Sequence, residues 1–197
     1  MYQIVLIITL LAATVSAASA QMAEATIFGG RSHMGSADIG EVGFSARTLA
    51  LDGGFKVGGR LSLNGSAFMG HELSYGFERQ DLSVGGEKET TAHVQQFFYD
   101  FVVHLTPKAV PVRPFVLAGA GFSSFSPRQE GILAAGAGET KVGYNYGGGV
   151  KVKLSPLFGL RFDVRDHVTG KPNFLDLPNV SGRLHSVEFS GGVSLLF

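Results

Sequence analysis

Cysteine and tryptophan are both missing from the 197 residues of this chain. Without thiols there is neither a disulfide framework nor a thiolate metal centre, and the composition is compatible with an oxidising compartment. Net charge is missing too, since Lys+Arg 16 and Asp+Glu 16 cancel. A nucleic-acid binder needs a basic footprint, so nucleic acid is not expected as a partner. After Ala20 no stretch approaches the roughly twenty apolar residues of a membrane-spanning helix. If the mature chain lies in a membrane it must therefore be a barrel, which satisfies every backbone polar group through pairing between strands.

What is present points the same way. With 45% hydrophobic residues the chain can bury a core, and its length is that of one domain. It carries Gly 28 and Phe 16, and glycine alternating with aromatics is common in barrels. The N-terminus carries an address. Ile4 to Val15 (IVLIITLLAATV) is an apolar run of signal-peptide length, followed by small residues and Ala18-Ser19-Ala20, an A-x-A cleavage pattern. The expectation is a leader over 1–20 and a barrel domain over 21–197, with Gln21 first after cleavage. The leader's first residues, MYQ, lack the usual Lys or Arg. No Cys follows the cleavage point, so no lipid anchor is indicated.

Alternating segments recur through the mature chain. Strands are predicted at Glu24 to Ser32, Gly54 to Asn64, Met69 to Arg79, Val94 to Leu105, Arg113 to Phe125, Lys141 to Leu154, Phe158 to His167 and Leu184 to Phe197. Between them short spacers (GSAF, TPKAVPV, SPL) take turns with long ones. Within the first long spacer, VGFSARTLAL has the pattern of a paired extension above the membrane. Short turns at one rim, longer loops at the other and an even strand number are the pattern of an outer-membrane barrel. The fold class predicted is therefore all-β, an eight-stranded antiparallel up-and-down transmembrane barrel.

Parity assigns the faces. Phe97, Tyr99, Phe101, Val103 and Leu105 oppose Gln96, Asp100 and His104; Leu160, Phe162 and Val164 oppose Arg161, Asp163 and Arg165. An Arg in the lipid midplane of a barrel costs roughly 2–4 kcal/mol, so the charged parity must face inward. The polar parity is rich in small residues such as Gly58, Ser62, Ser74, Gly76, Gly147 and Gly149, as a cramped eight-stranded interior requires. For RPFVLAGAGFSSF both parities are apolar, and the reading leans towards Phe115, Leu117 and Phe125 facing out. The inward charges form the expected lumen network: Lys56, Arg60, Lys151, Lys153, Arg161 and Arg165 against Glu72, Glu78, Asp100, Asp163 and Glu188. Buried charges persist when paired, so this set is read as a salt-bridge lattice that fills the lumen.

Ser190-Gly191-Gly192-Val193-Ser194-Leu195-Leu196-Phe197 resembles the C-terminal signature of bacterial outer-membrane barrels: polar, any, Gly, any, any, hydrophobic, any, terminal aromatic. With RPFVLAGAGFSSF and YNYGGGVKVKLSPLFGLRFDVRD, it makes the mature chain similar to the small OmpA-type outer-membrane barrel superfamily. The similarity is to the barrel alone, without the periplasmic peptidoglycan-binding domain of full OmpA-type proteins. It implies a bacterial outer-membrane location, contact with outer-membrane lipids and a monomer. It also implies that the barrel-assembly machinery recognises the last strand, with Ser190, Gly192, Leu195 and Phe197 as the assembly signal.

No residue set carries an enzyme signature. A metal needs three or four convergent ligands, and His71, His93, His104, His167 and His185 fall on different strands or loops without HxH or HxxxH spacing. No metal or other cofactor is expected. Gly147 to Gly149 lacks the G-K-[ST] ending of a phosphate loop. Arg183-Leu184-His185-Ser186 is similar to the His-x-Ser of a lipid A deacylase, but here Ser186 follows His185 directly and points to the opposite face. The position sharing the face of His185 is Val187. The expected role is structural, or binding of an external partner through four surface loops. A narrow channel for small solutes is the alternative, and a lipid A-modifying enzyme the second.

Overall fold

The structure, a computed structural model, describes residues 23–35, 38–42, 47–84, 86–128, 137–174 and 182–197. The expected leader and its cleavage point lie outside the described residues. Among the described residues every regular element is a strand: β1 (Ala23–Gly35), β2 (Asp38–Val42), β3 (Arg47–Leu63), β4 (Met69–Val84), β5 (Glu87–His104), β6 (Val112–Pro127), β7 (Glu139–Lys153), β8 (Phe158–Gly170) and β9 (Arg183–Leu196). All pairings are antiparallel. Because β1 pairs with β9 on one side and with β3 on the other, β1 and β3–β9 close into an eight-stranded ring. Closure leaves that ring without an unpaired edge. β2 pairs only with β3, Asp38 opposite Ala50 and Val42 opposite Arg47, and forms the extension expected from VGFSARTLAL.

One end of the barrel carries Ala23, Phe197 and the short turns. There Phe197 N–H donates to the Ala23 carbonyl at 2.9 Å, and Ala23 N–H to the Phe197 carbonyl at 3.4 Å. Two of the short turns use the same device. Ser66 Oγ accepts from the Met69 N–H at 2.8 Å, and Ser155 Oγ from the Phe158 N–H at 3.0 Å. A serine hydroxyl stands in for a backbone acceptor in such turns.

The strands run well past a bilayer. A transmembrane strand needs about 9–11 residues, whereas β4 has 16 and β5 has 18. QDLSVGGEKETTAH, read from sequence as a long loop, is instead a continuation of both strands. Val84 pairs with Glu87, and Gly86 adopts a φ of 89° that favours glycine. The pattern was deceptive because the surroundings change along the strand. Within the apolar band Leu73, Tyr75 and Phe77 face outward and the polar residues inward; above it Leu82, Val84, Ala92 and Val94 are buried inside the ring. Outside the ring, water replaces lipid at that height, so the binary pattern inverts.

The lean on β6 is also corrected. Phe115, Leu117 and Phe125 are buried inside the ring, while Val116 and Phe122 face out. Phe115 is tolerated inward because cations cover it, the Arg161 guanidinium 4.7 Å from its ring centroid and Lys151 Nζ 5.6 Å, whereas Phe125 joins an apolar cluster.

Candidate functional site

The lumen collects nearly every polar residue of the inward parity, and charge organises it. Arg161 on β8 reaches Glu72 on β4, Nη1 to Oε2 at 2.5 Å, and grips Asp163 through Nε and Nη2, both at 3.0 Å. Arg165, two inward steps further along β8, contacts Asp100 at 3.0 Å, Glu72 at 2.7 Å and Asp163 at 2.8 Å. Arg60 on β3 reaches Asp163 at 3.2 Å and Glu188 at 2.6 Å, and its guanidinium lies 3.6 Å over the Phe28 ring. Lys56 pairs with Glu188 and donates to Gln96. His167 Nε2 stands 3.2 Å from the same Glu188 carboxylate. Nearer the turn end, Lys151 pairs with Glu24 at 2.5 Å.

Glu72, Asp163 and Glu188 therefore each serve more than one cation. Charge-assisted, forked contacts of this kind are the strong class of hydrogen bond. Five cations (Lys56, Arg60, Lys151, Arg161, Arg165) face five carboxylates (Glu24, Glu72, Asp100, Asp163, Glu188), and all ten residues are buried.

The lattice differs in detail from the sequence set. Glu24 belongs to it. Lys153 does not: it is half-buried at the turn-end rim, where it lines a recess with Lys108 and Arg113. Glu78 is fully buried but is held by neutral donors, Ser32 Oγ and Gln80 Nε2, the latter at 2.9 Å. Glu24, Gln96 and His167 were missed as partners. Their inward parity was the signal that could have found them.

Above Glu78 the lumen turns apolar. Met34, Leu51, Leu82, Val94, Phe125 and Leu184 meet there, and Phe174 from the β8–β9 connection packs among them. Its backbone carbonyl accepts from the Ala137 N–H at 3.1 Å, which ties two loop-end connections together. The lumen thus holds two buried layers in series, one ionic and one apolar.

Outward, the ring carries an apolar band of Ile27, Val57, Leu61, Leu73, Phe97, Phe162 and Val193, exposed on the wall. An inside-polar, outside-apolar closed barrel is the arrangement a bilayer demands. The family model described as the outer membrane protein beta-barrel domain matches residues 8–197. The chain belongs to this family. Among solved structures, this outer-membrane barrel is similar to the outer membrane protein OprG from Pseudomonas aeruginosa, with a TM-score of 0.65, 13% identity, and 91% of this chain and 98% of that one covered. It is also similar to Neisserial surface protein A, with a TM-score of 0.61, 14% identity, and coverages of 91% and 100%. The N-terminal barrel domain of Pseudomonas aeruginosa OprF follows with 0.53, 14%, 91% and 100%. At these identities the likeness is one of fold. No curated protein matches the chain by sequence.

One pair on the wall of the outer-membrane barrel touches the enzyme alternative. His185 Nδ1 and the Tyr146 hydroxyl both lie 2.8 Å from Asp166 Oδ2. An acid that orients a histidine is half of a hydrolytic triad. Among the described residues of β9 no serine shares the face of His185: Ser186 is buried on the lumen side, and the outward neighbours are Arg183 and Val187.

Proposed function

We propose that this outer-membrane barrel is a closed scaffold whose role is structural or interactive, exercised through its extracellular loops, and that it conducts no solute. The observation that carries this reading is the pair of buried layers. A selectivity filter favours rings of one sign of charge, whereas here both signs are interleaved and each of the five buried cations is engaged by a carboxylate. An eight-stranded ring is just wide enough for side chains to fill. Among the described residues of β9, no serine shares the outward face of His185, so the binding role is placed ahead of lipid A chemistry.

The same reading places the termini in the periplasm, with the leader removed after Ala20 and the barrel monomeric. Purified protein in planar bilayers is expected to show no stable conductance. A steady, ion-selective open state would move the narrow channel to first place. A deletion strain assayed together for permeability, adhesion and lipid A mass separates the three roles: the scaffold reading expects lipid A mass to stay unchanged.

A further inference from the structure

Where the outer wall leaves the apolar band on the side of β1, β3 and β4, the first charged row is cationic and uncompensated. The register sets Arg31 opposite Phe55, Phe55 opposite Arg79, and Arg79 opposite His93. All four face outward and are exposed. Neighbouring strands lie about 4.8 Å apart, so the two arginine backbones are about 10 Å apart with Phe55 between them. Beside this row is a recess of about 380 Å³, lined by Arg31, His33, Phe55 and Arg79 over a floor at Gly53 and Gly54. The β1–β3 register runs no further than Arg31 and Phe55, and a bulge shifts β3 against β4 between Leu51 and Gly54, so the wall is irregular just here.

The charge balance marks the place. Inside the lumen every buried arginine has a carboxylate. Among the described residues neither Arg31 nor Arg79 is paired with one. Asp81, the acid that lines the recess, is engaged by Lys88 at 2.7 Å. Further round the rim, past β9, Asp166 already accepts from His185 Nδ1 and the Tyr146 hydroxyl, both at 2.8 Å. Two free guanidiniums at the level where lipid headgroups begin call for an anion from the membrane. A guanidinium fork fits a phosphate bidentately, and Phe55, 60% exposed, offers an apolar surface to whatever carries that phosphate.

We propose that Arg31, Phe55 and Arg79 form a site on the outer wall for the phosphorylated headgroup of an outer-leaflet glycolipid. The phosphate is held between the two arginines and the sugar or the root of an acyl chain rests on Phe55. The site rests on the loop end being the extracellular end, as the short turns at the other end require.

The test uses the full barrel in phosphatidylcholine vesicles containing either diphosphorylated lipid A or the same lipid with its phosphates removed. After solubilisation in mild detergent, the lipid A retained per folded barrel is measured. The native barrel is expected to retain the phosphorylated form and not the dephosphorylated one. R31Q/R79Q should lower retention about thirtyfold, since each basic residue near a charged membrane surface contributes about fivefold. K108Q, at the opposite end of the barrel, should change nothing. Equal retention of both lipids overturns the proposal, as does full retention by R31Q/R79Q. Displacement by inorganic phosphate alone would assign the arginines to a free anion and overturn the lipid assignment. The comparison of the two lipids needs no variant and stands even if R31Q/R79Q fails to fold. A conducting barrel that still selected the phosphorylated lipid would sink the closed-scaffold reading and leave this site intact.

Discussion

Arg161 and Glu72 join opposite sides of the ring. Their strands, β8 and β4, are separated by three strands whichever way the ring is followed, yet Nη1 and Oε2 meet at 2.5 Å. A side-chain pair that spans the full diameter crosses the axis of the ring. It also makes Glu72 the hub of the lattice, because the same carboxylate receives Arg165 at 2.7 Å.

Replacing Glu72 with Ala removes a carboxylate shared by two buried guanidiniums and leaves Arg161 with Asp163 alone and Arg165 with Asp100 and Asp163. Removing one partner of a buried ion pair costs about 3–5 kcal/mol. The urea midpoint of E72A in phospholipid vesicles should fall accordingly. E72A/R161M should recover part of the loss, since a pair replaced by apolar groups leaves no lone charge. K153A, at the half-buried rim outside the lattice, should stay within about 0.5 kcal/mol of the native barrel. An E72A midpoint equal to that of K153A would show that the lattice does not bear stability.

The barrel was legible in the sequence wherever one strand face meets lipid and the other the crowded lumen. There the cost of an arginine in lipid fixes parity for Arg161 and Arg165 without any knowledge of contacts. Two things were not legible, for physical reasons. Parity says that Glu72 points inward but not that it meets Arg161 across the ring, because the pairing depends on how the ring closes. Periodicity also presumes one solvent outside, and past Arg79 the outside becomes water. There Leu82 and Val94 carry their apolar side chains inward, and the segment read as a loop is strand. Phe115 escaped parity because a cation-covered aromatic fits the lumen as well as an aliphatic fits lipid.

The apolar layer makes a prediction that the loop reading does not. Leu82 is fully buried among Val94, Phe125 and Leu184, and Leu→Ala at such a site costs about 2–5 kcal/mol. L82A should lower the urea midpoint to that extent. Lys88→Ala, which breaks only an exposed pair with Asp81, should cost no more than about 1 kcal/mol. If Leu82 belonged to a solvated loop, the two variants would behave alike.

Packing along β6 supplies a third test. A Cβ built at Gly119 would lie 2.2 Å from both Asp100 Oδ1 and the Tyr99 carbonyl oxygen, so the Asp100 carboxylate reaches Arg165 only because residue 119 has no side chain. G119V should destabilise the barrel by about 1–3 kcal/mol or more. G65A, where an added Cβ meets nothing within 4 Å, should be neutral. Equal midpoints for G119V and G65A would contradict this account of the lumen.

The last strand carries a fourth prediction, in which closure and assembly can be separated. Phe197 exchanges backbone hydrogen bonds with Ala23 at 2.9 and 3.4 Å, and its ring is 56% exposed on the wall. Deleting it removes two hydrogen bonds whose net worth is about 0.5–1.5 kcal/mol each, too little to unfold a ring closed along the rest of β1 and β9. If Ser190, Gly192, Leu195 and Phe197 act as the signal read by the assembly machinery, the deletion should nearly abolish folded protein in outer-membrane fractions. The same protein refolded from urea into vesicles without machinery should still fold and keep its heat-modifiable mobility. An equal defect in both settings would make Phe197 a structural latch rather than a recognition element. Normal levels in cells would remove it from assembly altogether.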